Sequence, residues 1–189
     1  MSGPYRFELL YLDESDLHLH PPLRKMWMMK GKQAKIPAPG TNQKIHVFGG
    51  LNFVTNCVSY QISASKTQWS METFLLTLFT QDYPEQYLVL VLDSVSYHQT
   101  ALIQQLLLDY RDRVFVLWLP KYCPELSLIE RFWAYMKQVV FDSYYFGDIA
   151  NLEQAAHLFF EEHNSNPNAD FSISFRSSKN LSEQRAPLK

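Results

Sequence analysis

The hydrophobic pattern of the chain changes along its length, from alternation to continuous apolar runs. Alternating apolar and polar positions predict strands over residues 7–13 and 45–53, and a third strand over 58–62. The apolar segments 87–92 and 114–119 predict two buried strands, since a run without polar alternation is typical of a strand covered on both faces. Five strands are therefore expected.

Amphipathic stretches between and after these strands predict four helices. Ser70 is the expected N-cap of the first, which ends before Pro84. The others cover 98–110, a segment starting at Leu128, and about 152–163. Three consecutive strands predict an antiparallel meander, and the later strand–helix–strand units require parallel crossovers. The pattern thus predicts an α/β fold, a mixed sheet flanked by helices.

Composition limits the class of protein. A chain of 189 residues, 47% hydrophobic and 15% aromatic, is typical of one globular domain, here assigned to 1–163 with a polar, flexible tail at 164–189. No apolar run approaches the roughly 20 residues of a membrane span, and no signal peptide is visible. Cys57 and Cys123 form no disulfide framework or CxxC pattern, which favours a reducing, cytoplasmic location.

Charge is distributed unevenly along the chain. The net charge is −2, yet the segment 17–71 contains no acidic residue and carries +7, so the rest carries −9. This asymmetry indicates either a basic surface that follows a phosphate backbone or an ordinary solvated loop. The basic residues of the segment are Arg24, Lys25, Lys30, Lys32, Lys35, Lys44 and Lys66.

Two aspartates, Asp13 and Asp93, each follow an apolar strand. Ligands of open α/β sheets bind at the carboxyl ends of the strands. If the two strands are neighbours, about 4.8 Å apart, their carboxylates can share one hard cation such as Mg²⁺ or Mn²⁺. The alternative is that each aspartate is a turn or cap residue.

Two further residues, Glu130 and His98, have two interpretations each, and Trp133 has one. Glu130 forms a capping box with Ser127, or it faces outward as a ligand at the start of its helix. His98 begins a helix or takes part in a site. Trp133 lies on the apolar stripe of its helix and is most simply a core residue.

Taken together, the segments LYLDES, VLDSVSYH and LPKYCPELSLIERFWAYMK resemble the signature of mariner-like DDE transposases, in their bacterial insertion-sequence branch. The family has one Asp on its first strand and a second Asp in a DNxxxH segment after its fourth strand. Its Glu lies in an LPPYSPxLNPIExxW segment that opens a helix. WMMKGKQ and KIHVFGGLNF extend the resemblance over about residues 5–164. The resemblance implies a ribonuclease-H-like fold and a catalytic triad of Asp13, Asp93 and Glu130.

The resemblance also implies a mechanism and partners. Two Mg²⁺ (or Mn²⁺) ions bound by the triad would drive DNA strand cleavage and strand transfer during transposition, with His98 positioning the scissile phosphate or a metal-bound water. Expected partners are double-stranded DNA, a second copy of the chain, and a separate N-terminal helix-turn-helix polypeptide, at the bacterial nucleoid. The expected DNA-binding residues are Arg24, Lys25, Lys30, Lys32, Lys35, Lys44, Lys121 and Lys137.

The chain departs from the family pattern at four positions. Ser94 replaces an Asn, Lys121 replaces the second Pro of the loop, and Ser127-Leu128 replaces Asn-Pro. The three acids are retained, which favours activity. The alternative is a catalytically inactive remnant that acts as a DNA-binding or dimerisation module. Another nuclease of the same fold, a ribonuclease H or a junction resolvase, is a further alternative, although nothing requires such an enzyme to share the third segment.

Overall fold

A computed structural model describes residues 7–19, 43–93, 100–120, 127–141, 146–167 and 171, and every structural statement below refers to these residues. They form five strands and four helices. The strands are β1 (Phe7–His18), β2 (Lys44–Asn52), β3 (Val58–Ser63), β4 (Tyr87–Leu92) and β5 (Val114–Trp118). The helices are α1 (Gln68–Thr77, continued by a π-helical turn, Leu78–Asp82), α2 (Ala101–Asp109), α3 (Ile129–Val140) and α4 (Ile149–Ser165).

The strands form one mixed sheet in the order β3-β2-β1-β4-β5. Antiparallel pairs join β1 to β2 and β2 to β3, whereas β4 is parallel to both β1 and β5. The meander followed by parallel crossovers is therefore confirmed. Because β1 and β4 are neighbours, the carboxyl end of β4 lies beside the middle of β1, where their parallel pairing stops at Tyr11 and Val91.

Helices cover the two faces of the sheet unequally. On one face α1 and α2 pack on β2, β1, β4 and β5, in a core that includes Leu10, Leu12 and Phe48. On the other face α3 and α4 pack on β1, β2 and β3, in a core that includes Leu17 and Phe132. Each face of β1 thus contributes to a different core, and Tyr11, on the second face, also packs there.

Several sequence expectations were wrong in detail. β5 is only partly buried: Val114 lies in the core under α1 and α2, but Phe115, Leu117 and Trp118 are 49%, 55% and 40% exposed. β5 is at the edge of the sheet, and the core under α3 and α4 is formed by β1, β2 and β3. The first helix is capped by Thr67, whose side chain accepts from the backbone N–H of Ser70, so Ser70 lies inside the first turn.

Two other boundaries differ from the pattern. β2 ends at Asn52, and a turn follows in which Asn56 adopts a positive φ of 60°. The side chain of Asn52 folds this turn back by accepting from the backbone of Val54 and Thr55. α4 is longer than expected, and the side chain of Asn164 near its end bonds both the N–H and the carbonyl of Val58.

Candidate active site

Asp13 on β1 and Asp93, immediately after β4, occupy matching positions relative to the pairing of the two strands. The last parallel pair of β1 and β4 joins Tyr11 to Val91, so each aspartate lies two residues beyond the same pair. Since adjacent strands are about 4.8 Å apart, the two acids lie at one level of the sheet. The condition that the sequence left open, that the two strands be neighbours, is met.

The sequence suggested that β1 ends at Asp13, but the strand continues past it. β1 continues to His18 because residues beyond Asp13 keep their antiparallel pairing with β2, down to His18 opposite Lys44. Only the parallel half of the pairing stops before Asp13. At Asp13, β1 is therefore paired with β2 alone. Its other edge is not paired there, and Asp93 follows β4 on that side.

The surroundings of Asp13 disfavour its charge. Burial raises the pKa of its carboxyl group from 3.8 to about 6, and the negative charges of Glu14 and, to a smaller extent, Asp93 also raise it. Hydrogen bonds from the backbone of Glu14 and from the Trp133 indole act in the opposite direction. A carboxylate crowded by other acids is what a bound cation would stabilise.

Trp133 of α3 binds Asp13 directly. Its indole Nε1–H donates to Oδ2 of Asp13 at 3.0 Å, and the side chain is 5% exposed. The indole lies against the backbone of Gly49, the residue paired with Asp13 across β1 and β2. The core assignment of Trp133 from its stripe was correct, but the polar contact was missed.

Glu130 lies in the first turn of α3, one turn before Trp133, and is exposed. Leu128 is the N-cap and no side-chain cap hydrogen bond is present, so the capping box expected from Ser127 does not form. In the part of the chain that the structure describes, no three His, Cys, Asp or Glu side chains form a cluster that could hold a metal ion. The structure thus brings two of the three acids together and leaves Glu130 outside a common cluster.

Polar side chains on the opposite face of β1 form a second charged group. Asp16 accepts from Nζ of Lys44 and contacts Nδ1 of His46, each at 2.7 Å. Glu14, nearly buried, forms an ion pair with Lys66 at 3.3 Å. Two lysines of the basic segment therefore have carboxylate partners, which reduces the charge that Lys44 offers to a phosphate.

The remaining candidate residues are largely outside the described part. His98, Lys121 and the basic residues at positions 24, 25, 30, 32 and 35 lie outside the described residues. Lys137 is in the last turn of α3 and is partly exposed.

The sequence held one signal for the contact that was missed. Gly49 stands inside a strand whose other residues are mostly apolar and buried, and a glycine in a strand interior often marks a close approach. The partner, Trp133, is 84 positions further on, so the pattern could indicate that something approaches Gly49 but not what.

Comparisons with known proteins agree with this architecture. A protein of insertion element IS630 from Shigella sonnei, described as an uncharacterized 39 kDa protein, is 28% identical over 125 residues, 66% of this chain and 36% of that protein. The catalytic domain of the Mos1 mariner transposase superposes with a TM-score of 0.59 at 13% identity, covering 81% of this chain and 69% of that one.

Two further solved structures have the same fold. A Mos1 paired-end complex with Mg superposes with a TM-score of 0.65 at 14% identity, over 82% of this chain and 48% of that one. The HTLV-2 integrase catalytic core domain in complex with magnesium gives 0.53 at 13% identity, over 84% and 86%. The chain spans about a third of the curated relative and about half of the Mos1 chain in the paired-end complex.

In the described part of the chain, no helix is both long enough and apolar enough to cross a membrane.

The sequence model of the family described as DDE superfamily endonuclease matches residues 8–153. That range contains all three acids and every helix and strand that positions them, except part of β1 and α4. The chain belongs to the DDE superfamily endonuclease family.

Proposed function

We propose that this chain is the catalytic domain of a DNA transposase of an insertion sequence, which cleaves and joins DNA strands with two divalent ions, Mg²⁺ or Mn²⁺. The ligands would be Asp13, Asp93 and Glu130. The observation that carries the proposal is that Asp13 and Asp93 each lie two residues past the last parallel pair of two neighbouring strands, in a chain of the DDE endonuclease family.

The two aspartates fit such ions. They are hard oxygen donors, which Mg²⁺ and Mn²⁺ prefer. Burial and neighbouring acids disfavour the charged form of Asp13. A cation beside it would offset both the cost of burying the charge and the repulsion from those acids. Bound there, divalent ions would activate water or a DNA 3′-hydroxyl and stabilise the leaving oxygen of an in-line displacement.

The protein's own residues would prepare the site. Trp133 restrains one oxygen of Asp13, and β4 ends at Leu92, immediately before Asp93. Glu130 lies in the first turn of α3, is exposed and takes no part in an N-cap hydrogen bond. It is proposed as the third ligand. His98 would orient the scissile phosphate or a bound water.

DNA would be held by the basic residues proposed above, with Lys137 on α3. Lys32 and Lys35 test this part: replacing both by Ala should weaken binding equally for all DNA sequences and reduce the salt slope by about 0.9 for each phosphate that is no longer bound. An unchanged salt dependence would remove them from the surface. The proposal also includes a homodimer, a separate helix-turn-helix polypeptide as partner and a location at the nucleoid. It keeps the division of the chain into a catalytic domain up to residue 163 and a C-terminal tail.

The deciding experiment measures nicking of supercoiled DNA in Mn²⁺ by the 189-residue chain and by Asp93→Asn. The variant should lose cleavage and keep its fold, as judged by circular dichroism. Cleavage at the wild-type rate would show that the assignment is wrong. A parallel assay on an RNA–DNA hybrid separates a transposase from a ribonuclease H.

An inactive remnant is the second candidate, because the described residues hold no ready three-ligand cluster. It predicts a folded protein that binds DNA but takes up no Mn²⁺ in calorimetry. The active domain predicts Mn²⁺ binding that Asp93→Asn abolishes.

A further inference from the structure

The indole of Trp133 occupies the space that a side chain at Gly49 would need. A Cβ at Gly49 would lie 2.3 Å from Cη2 and 2.8 Å from Cζ2 of Trp133, far inside van der Waals contact. At Gly50, the next residue, the nearest atom to a Cβ is Cζ of Phe74 at 3.6 Å, which is ordinary contact. Only the first of the two adjacent glycines is therefore required by its surroundings.

This close approach is coupled to the proposed site through strand pairing. Gly49 is the antiparallel partner of Asp13, so the ring that lies on β2 has its Nε1–H directed at the carboxylate of the adjacent strand, 3.0 Å from Oδ2. Ile129 contacts the same position at 3.5 Å, and the Phe132 ring is 5.6 Å from the indole. Packing thus fixes the ring, and the ring fixes one carboxylate oxygen.

We propose that Trp133 is a positioning residue of this active site: lying on Gly49, it holds Oδ2 of Asp13 and so fixes the orientation in which Asp13 meets the divalent ions. The inference rests on the proposed function and extends it to two residues that bind no ion themselves. Hydrogen-bond partners of metal ligands fix ligand orientation, and removing one costs typically about 10–100-fold in metal affinity or activity.

A purely structural role makes a different prediction. Buried indoles usually find a hydrogen-bond acceptor, so the bond alone could serve the core. In that case, loss of the N–H would lower thermal stability without a separate effect on the metal. Trp133→Phe separates the two roles because phenylalanine keeps an aromatic ring and loses the donor.

The experiment uses the full 189-residue chain with Trp133→Phe and Gly49→Ala, and two matched controls. Trp69→Phe makes the same chemical change at an indole that is 61% exposed, and Gly50→Ala makes the same change one residue away. Measured quantities are the Mn²⁺ dissociation constant by calorimetry, the melting temperature in EDTA, and the ¹H–¹⁵N resonance of the Trp133 indole.

We expect Trp133→Phe and Gly49→Ala to weaken Mn²⁺ binding by about 10–100-fold, with both controls at the wild-type value. The indole resonance should move in Gly49→Ala and in Asp13→Asn, but not in Gly50→Ala. In the double variant Gly49→Ala/Trp133→Phe the clashing atoms Cη2 and Cζ2 are gone. Its melting temperature should therefore recover relative to Gly49→Ala, whereas its Mn²⁺ affinity should not rise above that of Trp133→Phe.

Each outcome has one meaning. Wild-type Mn²⁺ affinity in Trp133→Phe would overturn the positioning role while leaving the proposed function intact. Affinity that recovers together with stability in the double variant would assign Trp133 to packing alone. If the wild-type chain binds no Mn²⁺, the proposed function fails, and the positioning role fails with it.

Discussion

Asp13 and Asp93 each lie two residues past the last parallel pair of β1 and β4, which joins Tyr11 to Val91, and they are close enough for their charges to interact. The negative charge of Asp93 helps to raise the pKa of Asp13, although burial and Glu14 contribute more. The fold therefore places one acid where, without a cation, its ionisation opposes folding.

The first prediction follows from that opposition. Asp13 has a pKa of about 6 in the folded chain, against 3.8 unfolded. A raised folded-state pKa adds stability that is present below pH 3.8 and is lost as the pH rises through about 6. At pH 7.5 in EDTA, Asp13→Asn should therefore unfold with a free energy about 2–3 kcal/mol higher than wild type, at about 1.4 kcal/mol per pKa unit.

Urea denaturation across pH 4 to 8 measures this effect. The advantage of Asp13→Asn should be near zero at pH 4 and level off above a pH of about 6, because asparagine keeps an acceptor for Trp133 but carries no charge. A variant less stable than wild type at pH 7.5 would contradict the destabilised carboxylate. Adding Mn²⁺ should stabilise the wild-type chain and not the variant.

The sequence predicted the topology of the sheet because the number, order and apolarity of the segments leave few ways to connect them. Asp13 and Asp93 were located for the same reason, since each follows a recognisable apolar run. β5 was misjudged because apolar residues such as Leu117 look alike in a central strand and at an edge. Whether a strand is covered on both faces depends on where the helices pack, and α3 and α4 cover β1 to β3.

The contact of Trp133 with Asp13 could not be predicted from any local pattern. Helical spacing showed that Trp133 faces the core, but not which strand it would meet 120 positions away. The capping box failed for a related reason. Ser127 and Glu130 have the right spacing, yet the helix begins one residue later, with Leu128 as its N-cap.

A second prediction concerns the charged group on the other face of β1. The pKa of Asp16 is lowered: burial acts to raise it, but the hydrogen bonds from Lys44 and His46 outweigh that effect. A lowered pKa adds stability that is present above pH 3.8 and is lost as the pH falls through the folded value. Because the pair is partly exposed, Asp16→Asn should cost no more than about 1 kcal/mol at pH 7.

Chemical denaturation at pH 7 and at pH 3 checks this prediction, with Glu85→Gln as the control for loss of one exposed negative charge. The difference between Asp16→Asn and wild type should shrink at pH 3, and 0.5 M NaCl should reduce it at pH 7. A cost that is the same at both pH values would indicate that Asp16 acts through packing.

The third prediction concerns His163, whose Nε2–H donates to the carbonyl of Asn56 at 2.8 Å. Burial among aromatic rings, including Phe132 and Phe171, lowers its pKa, and the bond to Asn56 offsets this only in part. The unfolded chain therefore takes up the proton first. Stability is complete above the unfolded value of 6.5 and is lost as the pH falls below it.

Thermal unfolding between pH 7.5 and pH 5 tests this pH dependence. The wild-type melting temperature should fall more steeply than that of His163→Gln, which does not titrate. Parallel slopes for the two chains would show that His163 accepts a proton in the folded state as readily as in the unfolded one.

The fourth prediction concerns Arg113, which closes the end of the π-helical turn. Its guanidinium donates to the carbonyls of Phe79, Tyr83 and Gln86 and lies 5.2 Å from the centre of the Tyr110 ring. Phe79 lies in the π-helical turn, Tyr83 is its C-cap and Gln86 immediately precedes β4, so Arg113 links the end of the helix to the start of the next strand. Arg113→Ala should lower the free energy of unfolding by roughly 3 kcal/mol, since hydrogen bonds from a charged donor contribute about 1.5–3 kcal/mol.

Arg113→Lys distinguishes the planar fork from the charge. An ammonium group cannot reach three carbonyls in the fixed geometry of a guanidinium, so the lysine variant should recover less than half of the loss. Arg111→Ala, an exposed arginine on the same loop, should change stability by no more than about 0.5 kcal/mol. If Arg113→Lys were as stable as wild type in urea denaturation, the positive charge near Tyr110, and not the forked contact with the helix end, would account for the role of this residue.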